Sequence, residues 1–316
     1  MTGPVVDLLN AVDWVVPDRR AAYTRVTELL PELEPTGEVA LPEHDFDSVF
    51  LRGPASMAAA PTRLQLVILS EGGAGPDSGC AVAPFAPMQQ LQGLGRGQRI
   101  HGTVLAVRNF DESIAWLRAR SVPVFVEREC THLPYLRAWL GWSPDGLEHV
   151  PGVDGGLFVE FIPIEAFPRS VGMAVLRPPE AVASLRVAGR VHLVEDLDAA
   201  SAQLADTVGL GAPRRYDDPL LGLRGARWSF RHAGSGDLVV AQPYPTGLAA
   251  SYLAAHGPGA WLTTLRAADA EATAEAAVAR GAVVVARNQD DPPRVVLADE
   301  VTGIHLEIEQ GSTDVD

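Results

Sequence analysis

Residues 189–210 read GRVHLVEDLDAASAQLADTVGL, and this stretch decides how the rest of the chain is interpreted. It begins with an apolar run typical of a strand, passes through Asp196 and Asp198, and then takes the spacing of an amphipathic helix over 199–207. Aspartate is favoured just before a helix because its carboxylate accepts hydrogen bonds from the first free backbone N–H groups. The stretch therefore predicts a short strand followed directly by a capped helix.

The same order of strand, polar cap and helix recurs in three further segments. They begin at Ala11, Gly102 and Gly259 and read AVDWVVPDRRAAYTRVTELL, GTVLAVRNFDESIAWLRARSVPV and GAWLTTLRAADAEATAEAAVARGAVVV. The last predicts a helix over 270–279 that ends before Gly281, and then a strand over 282–286. The units close with apolar runs typical of strands, at 64–69, 156–164, 237–243 and 303–309. The pattern predicts an α+β fold built from four β-α-β-β-β units.

The DLDAA helix entry and the closing runs GLFVEF and GIHLEIE, each with a central glutamate, resemble the vicinal oxygen chelate superfamily. That superfamily includes glyoxalase I, bleomycin-resistance proteins, methylmalonyl-CoA epimerase and extradiol dioxygenases. The resemblance covers nearly the whole chain and is clearest over 100–165 and 186–310. It implies that the four β-α-β-β-β modules pair into two open mixed-sheet barrels, each around a cavity.

The resemblance also implies a domain division. The first barrel would span residues 1–170, with modules at about 8–70 and 98–165. A linker would follow at 171–185. The second barrel would span 186–316, with modules at about 186–245 and 257–310.

Metal-dependent members of the superfamily hold one divalent ion in the barrel, so the resemblance implies a possible Fe, Mn, Zn or Ni site. The usual ligands are a closing-strand glutamate and a histidine about seven residues before the helix-entry acid. Glu160 and Glu307 lie where the closing-strand carboxylate belongs. The histidine positions, however, fall on non-ligating residues, namely Ala11, Gly102, Gly189 and either Trp261 or Leu262.

Two histidines lie close to those positions. His101 and Thr103 share one face of their strand, and Arg190 and His192 share one face of theirs; we expect polar faces to point into the cavities. The resulting metal candidates form incomplete sets: His101 and Glu160, with Asp13 and Gln65 from the partner module, and His192 with Glu307. Glu160, His101 and Glu307 are also the candidates for acid–base catalysis. We expect the Glu160 half to have kept a polar cavity, because His101 and Glu160 belong to the best-preserved module.

Three further residues are candidates for binding an organic ligand: Trp261, Arg190 and Trp139. Trp139 has helical spacing with Tyr135 and Trp142, which is typical of core packing and also suits an aromatic cavity wall.

Composition limits the partners. Among 316 residues there are 25 basic residues, all of them arginine, against 40 acidic residues, which gives a formal charge of −15. That charge disfavours nucleic acid and anionic membranes. The absence of lysine excludes Schiff-base chemistry. The first twenty residues lack the pattern of a signal peptide and no run is long enough to span a membrane, so we expect a cytoplasmic monomer or homodimer.

Three functions remain open on the sequence. The first is a metal-independent protein that binds or converts a small organic molecule through histidine and glutamate side chains. The second is a divalent-metal enzyme of the extradiol dioxygenase or glyoxalase type. The third is a non-catalytic protein that sequesters a drug or metabolite in an apolar cavity.

Overall fold

A computed structural model describes residues 3–16, 18–41, 46–69, 102–127, 135–145, 148, 150, 152–175, 184–288 and 292–311. His101 lies outside the described residues. So does most of the predicted linker; of 171–185, the structure describes only 171–175, largely the end of a short helix, and 184–185.

The first sheet contains eight strands in the order β2-β3-β4-β1-β5-β8-β7-β6. The strands are β1 (Val6–Val15), β2 (Glu34–Leu41), β3 (Phe46–Arg52), β4 (Arg63–Leu69), β5 (Thr103–Val107), β6 (Val124–Glu127), β7 (Arg137–Leu140) and β8 (Val159–Pro163). The helices of this half are α1 (Arg19–Leu29), α2 (Phe110–Ala119) and α3 (Arg169–Ala174). Within each module the first and last strands pair in parallel, and β1 joins β5 antiparallel at the centre.

The second sheet repeats this topology in the order β10-β11-β12-β9-β13-β16-β15-β14. Its strands are β9 (Leu185–Leu193), β10 (Arg214–Asp218), β11 (Leu223–Trp228), β12 (Asp237–Pro243), β13 (Gly259–Ala267), β14 (Val283–Asn288), β15 (Arg294–Asp299) and β16 (Ile304–Gln310). Its helices are α4 (Leu197–Gln203), α5 (Leu248–His256) and α6 (Ala270–Ala279). The predicted fold of four modules in two mixed sheets is confirmed.

Helix entry follows the predicted cap chemistry. Asp18, Asp196 and Asp269 each accept hydrogen bonds from backbone N–H groups two or three residues further on. The helix predicted over 270–279 is α6. The helix predicted over 199–207 begins two residues earlier, and its second half is a π-helical turn, Leu204–Val208, that ends at Gly209 in the left-handed conformation.

The helical spacing of Tyr135, Trp139 and Trp142 does not correspond to a helix, since Trp139 belongs to the four-residue strand β7. Trp139 and Trp142 are both buried, as the reading of this spacing as core packing predicts. Because side chains alternate along a strand, Trp139 lies on the same face of β7 as Arg137.

The two sheets contact each other through their helix-bearing faces, which we call the outer faces. One large apolar core covers both outer faces and includes Leu66 and Phe161 of the first sheet and Val240 and Ile308 of the second. The Trp14 indole N–H donates to Thr263 Oγ1 at 2.9 Å across this interface. The inner faces, on the opposite side of each sheet, are therefore free to form separate sites.

Candidate functional site

The two inner faces carry different side chains. In the second half, α5 packs Ala249 and Tyr252 against the inner face, together with Val191, Leu223 and Val296. In the first half, apolar packing of Ala106, Ile162 and Val171 occupies one end of the inner face. The other end is polar and contains two acidic residues, Asp13 and Glu160.

Asp13 and Glu160 are buried carboxylates on the inner face of the first sheet, with exposed fractions of 7% and 8%. Asp13 of β1 is paired with Gln65 of β4 in the parallel register. Glu160 of β8 is opposite Val104 of β5 on one side and Trp139 of β7 on the other. The register of the central strands thus places both carboxylates at the same end of the sheet.

Strand β5 separates the two carboxylates, and Gly102 lies just before it. Two strand spacings correspond to about 10 Å between the backbones of β1 and β8. A Cβ atom at Gly102 would lie only 2.7 Å from Asp13 Oδ2, so the Asp13 carboxylate uses the space that any side chain at 102 would need. Gly102 therefore leaves the space that the Asp13 carboxylate occupies.

Burial raises the pKa of both carboxyl groups into the neutral range. The pKa of Glu160 rises to about 8, because burial and the charges of Glu127 and Asp13 outweigh the opposing charge of Arg137. The pKa of Asp13 rises to about 7, because burial outweighs the opposing charges of Arg190 and Arg63. Asp13 Oδ1 has no hydrogen-bond partner among the residues that the structure describes. The arginine charges favour the ionised form of Asp13, and the charges of Asp13 and Glu127 favour the protonated form of Glu160, so the pair is suited to provide one base and one acid.

Aromatic and charged residues surround Glu160. The Trp139 indole N–H donates to Glu127 Oε2 at 3.4 Å, and Arg137 forms a buried ion pair with Glu127 at 2.5 Å. Burial, followed by the charge of Glu160, raises the pKa of the Tyr135 phenol, so Tyr135 is neutral near pH 7. The predicted ligand-binding residue Trp139 thus lies beside Glu160.

Arg190, another predicted ligand-binding residue, reaches the site from the second sheet. Its side chain is buried, with an exposed fraction of 1%, and its Nη1 donates to the Gly102 carbonyl at 2.8 Å. Its charge opposes the rise in the pKa of Asp13. Arg190 thus fixes the backbone at Gly102 and favours the ionised form of Asp13.

Glu307, the counterpart of Glu160 in the second sheet, is held by other side chains. Arg294 Nε donates to Glu307 Oε1 at 2.7 Å, and Thr264 Oγ1 donates to Oε2 at 3.0 Å. Arg294 also donates to Asp218 Oδ2 at 2.7 Å. Burial raises the pKa of Glu307 against the charge of Arg294, but two N–H groups of one guanidinium on the same oxygen are the geometry of a charged pair.

The structure does not bring His192 and Glu307 together. His192 is paired with Val240, whose side chain belongs to the outer-face core, whereas Glu307 is paired with Thr264 on the inner face. His192 is therefore buried near the interface between the sheets. The polar face of β9 points to that interface and not into a cavity, contrary to our expectation for polar strand faces.

Trp261, predicted as a ligand-binding residue, packs on α5. Its ring centroid lies 5.7 Å from that of Tyr252, and both side chains belong to the apolar cluster of the second inner face. Helix α5 thus covers the surface that we expected to form a ligand wall.

The donors that the structure describes do not complete the superfamily's usual ligand set for a divalent metal. On the first inner face these donors are Asp13, Gln65 and Glu160, two carboxylates and one amide. No cluster of three or more His, Cys, Asp or Glu side chains suited to a metal ion occurs in the described ranges. His101, the histidine of the candidate set in this half, lies outside the described residues.

Comparison with known proteins agrees with this architecture. Residues 191–295 match the Glyoxalase/Bleomycin resistance protein/Dioxygenase superfamily. The predicted resemblance to the vicinal oxygen chelate superfamily is confirmed. Among curated proteins, none matches this chain.

Two solved structures are similar to this chain at low identity. A triple mutant of 4-hydroxymandelate synthase from Streptomyces coelicolor is 12% identical, covers 99% of this chain and 94% of its own, and has a TM-score of 0.64. Methylmalonyl-CoA epimerase from Mycobacterium tuberculosis is 18% identical, covers 40% of this chain and 87% of its own, and has a TM-score of 0.35. Among the described residues, none of the helices has the length and apolar character needed to cross a membrane.

Proposed function

We propose that the first sheet binds a small organic molecule on its inner face and converts it by proton transfer, with Asp13 as base and Glu160 as acid. One observation supports this assignment above the others: two carboxyl groups, buried on one face and separated by one strand, both have pKa values raised toward neutrality, and the charge of Asp13 favours protonated Glu160. Such a pair is suited to proton abstraction and delivery at neutral pH.

The proposed reaction moves one proton at each carboxyl group. Asp13 accepts a proton from an acidic C–H or O–H bond of the substrate and becomes neutral. Glu160 donates its proton to another atom of the substrate and becomes a carboxylate. The product has the same number of atoms as the substrate, and solvent or a reverse transfer returns the carboxyl groups to their starting states.

The surroundings support both roles. Arg190 holds Gly102 and favours the ionised Asp13 that a base requires. Glu127, which is paired with Arg137, adds negative charge that favours protonated Glu160. Trp139 and Tyr135 supply aromatic surface beside Glu160 on which an organic molecule could pack.

Hydrogen exchange tests this proposal across a range of candidate substrates. A panel of small carbonyl compounds is incubated with the protein in D₂O, and deuterium incorporation is followed by NMR. We expect incorporation at carbon next to a carbonyl with the natural chain. Asp13→Asn and Glu160→Gln should each lower the rate by about 100-fold or more. Glu307→Gln, the matched change in the second sheet, should leave the rate within about twofold once folded protein is counted.

Two results would favour the other functions. Near-stoichiometric divalent metal in natively purified protein, lost in Glu160→Gln but not in Glu307→Gln, would support the metal enzyme. Tight binding of an organic molecule with no exchange or turnover in any condition would support sequestration.

A further inference from the structure

Two arginines lie next to each other on the inner face, beside Gln65. Phe50 and Leu51 of β3 are paired with Gln65 and Leu64 of β4, so the next step of the register places Arg52 opposite Arg63. Residues directly opposite in an antiparallel pair have Cβ atoms about 5 Å apart. After burial, which is the main cause, the charge of Arg52 contributes to lowering the pKa of Arg63.

The two guanidinium groups are incompletely satisfied. Arg63 stacks on the Phe50 ring with its Cζ 4.0 Å from the centroid, and its Nη2 donates to Asn10 Oδ1 at 2.9 Å. Arg63 Nε, Arg52 Nε and Arg52 Nη1 are all shielded from solvent and have no hydrogen-bond partner among the described residues. A buried donor without an acceptor is costly, and the cost is larger for a charged group.

The charge of this pair is also poorly compensated. Neither Arg52 nor Arg63 forms an ion pair within 4.0 Å in the ranges that the structure describes. Burial alone lowers the pKa of Arg52, while for Arg63 the charge of Asp13 only partly opposes the effect of burial. In a chain with 40 acidic residues against 25 arginines, two adjacent cations that form no ion pair with any described carboxylate are an unusual local arrangement.

We propose that Arg52 and Arg63 form an oxyanion subsite that binds an anionic group of the substrate, a carboxylate or a phosphoryl group. Guanidinium N–H groups match the geometry and charge of both. An oxyanion held there could accept hydrogen bonds from the buried nitrogens and would offset part or all of the positive charge of the pair. This inference rests on the proposed function, to which it adds the substrate class: a small organic anion.

The two arginines lie on the same face of the first sheet as the carboxyl groups. Arg63 and Gln65 are two residues apart on one face of β4, and Gln65 is paired with Asp13. Tyr135 experiences the charges of both Glu160 and Arg63, so its hydroxyl group lies near both. An anion at the arginines would therefore direct the rest of the substrate toward Asp13 and Glu160.

Calorimetric titration of the full-length chain tests the subsite with three probes at pH 7.5 and low salt. Benzoate carries a carboxylate, phenyl phosphate carries a phosphoryl group, and benzamide is the neutral analogue of benzoate. We expect at least one of the two anions to bind about tenfold or more tightly than benzamide. The tighter anion identifies the group that the subsite recognises.

Variants then assign that binding to residues. Arg52→Gln and Arg63→Gln should each weaken the preferred anion by about tenfold or more, whereas Arg52→Lys, which keeps the charge, should weaken it less. Arg118→Gln removes the same charge from an exposed position on α2 and should change the affinity by less than about twofold. Circular dichroism confirms that each variant is folded.

Equal affinity for benzamide and both anions, or unchanged anion affinity in folded Arg52→Gln and Arg63→Gln, would overturn the subsite. Neither result depends on Asp13 or Glu160. The two proposals can also fail separately in the other direction. Asp13→Asn and Glu160→Gln retain both arginines, so these variants should still bind the anion even if no proton transfer is detected.

Discussion

The two sheets have the same strand order, but the glutamate of the closing strand has different hydrogen-bond partners and neighbours in each. In the second sheet, Glu307 is bound by Arg294 and Thr264, and helix α5 packs against the same inner face. In the first sheet, no described side chain donates a hydrogen bond to Asp13 Oδ1, and the pKa of Glu160 rises to about 8. The comparison teaches that two copies of one fold can place the corresponding buried acid in an ion cluster in one copy and without such a cluster in the other, where we propose that it transfers protons.

The largest expected effect concerns the ion cluster of the second sheet. Arg294→Met leaves Glu307 and Asp218 buried without their shared cation, so it should lower the free energy of unfolding by about 3 kcal/mol. Urea denaturation measures the loss. Arg118→Met is the exposed control and should change stability by less than about 0.5 kcal/mol. A loss below about 1 kcal/mol for Arg294→Met would show that Glu307 is not held as we describe.

The second prediction concerns the pH dependence of stability that Glu160 of the first sheet causes. Since the pKa of Glu160 rises from 4.5 to about 8 on folding, the folded state binds more protons than the unfolded state between those values. The natural chain therefore loses stability as pH rises through that window. Glu160→Gln removes this loss and should be more stable than the natural chain by on the order of 3 kcal/mol at pH 9, with little difference near pH 4. Denaturation curves across pH test this, and equal pH profiles for the two proteins would contradict it.

The third prediction concerns Gly102. Gly102→Ala places a methyl group 2.7 Å from Asp13 Oδ2, so the carboxylate must move. We expect a stability cost of about 1–2 kcal/mol and a changed Asp13 pKa, both smaller than the effects above. Gly37→Ala, where no atom lies within 4 Å of the added Cβ, is the matched control. An unchanged Asp13 titration in Gly102→Ala would show that Asp13 does not occupy the space beside Gly102.

Much of the fold could be predicted from local patterns. The aspartates at the helix starts and the Ala-rich run of α6 are visible in the sequence because their structural causes are local. The closing strand predicted over 237–243 is β12 without change, since its apolar run is bounded by turn residues. These signals were sufficient to find four modules.

The site required information that local patterns do not contain. Asp13 lies beside Gln65 only through the register of β1 and β4, which are about fifty residues apart in sequence. The alternation of side chains along β9 predicts that Val191 and His192 point to opposite faces of the sheet, but it does not show which of those faces packs against the other sheet. Arg52 and Arg63 escaped notice for the same reason: each is an isolated arginine in the sequence, and only strand pairing makes them neighbours.

The central claim is that the first sheet contains an acid–base pair that titrates near neutrality, and carboxyl ¹³C NMR titration tests it most directly. Selective labelling of aspartate and glutamate side chains, with Asp13→Asn and Glu160→Gln for assignment, identifies the two signals. We predict that Asp13 titrates at about 7 and Glu160 at about 8. If both groups instead titrate near the ordinary carboxyl value of about 4, the first sheet does not contain the pair and the comparison between the sheets fails.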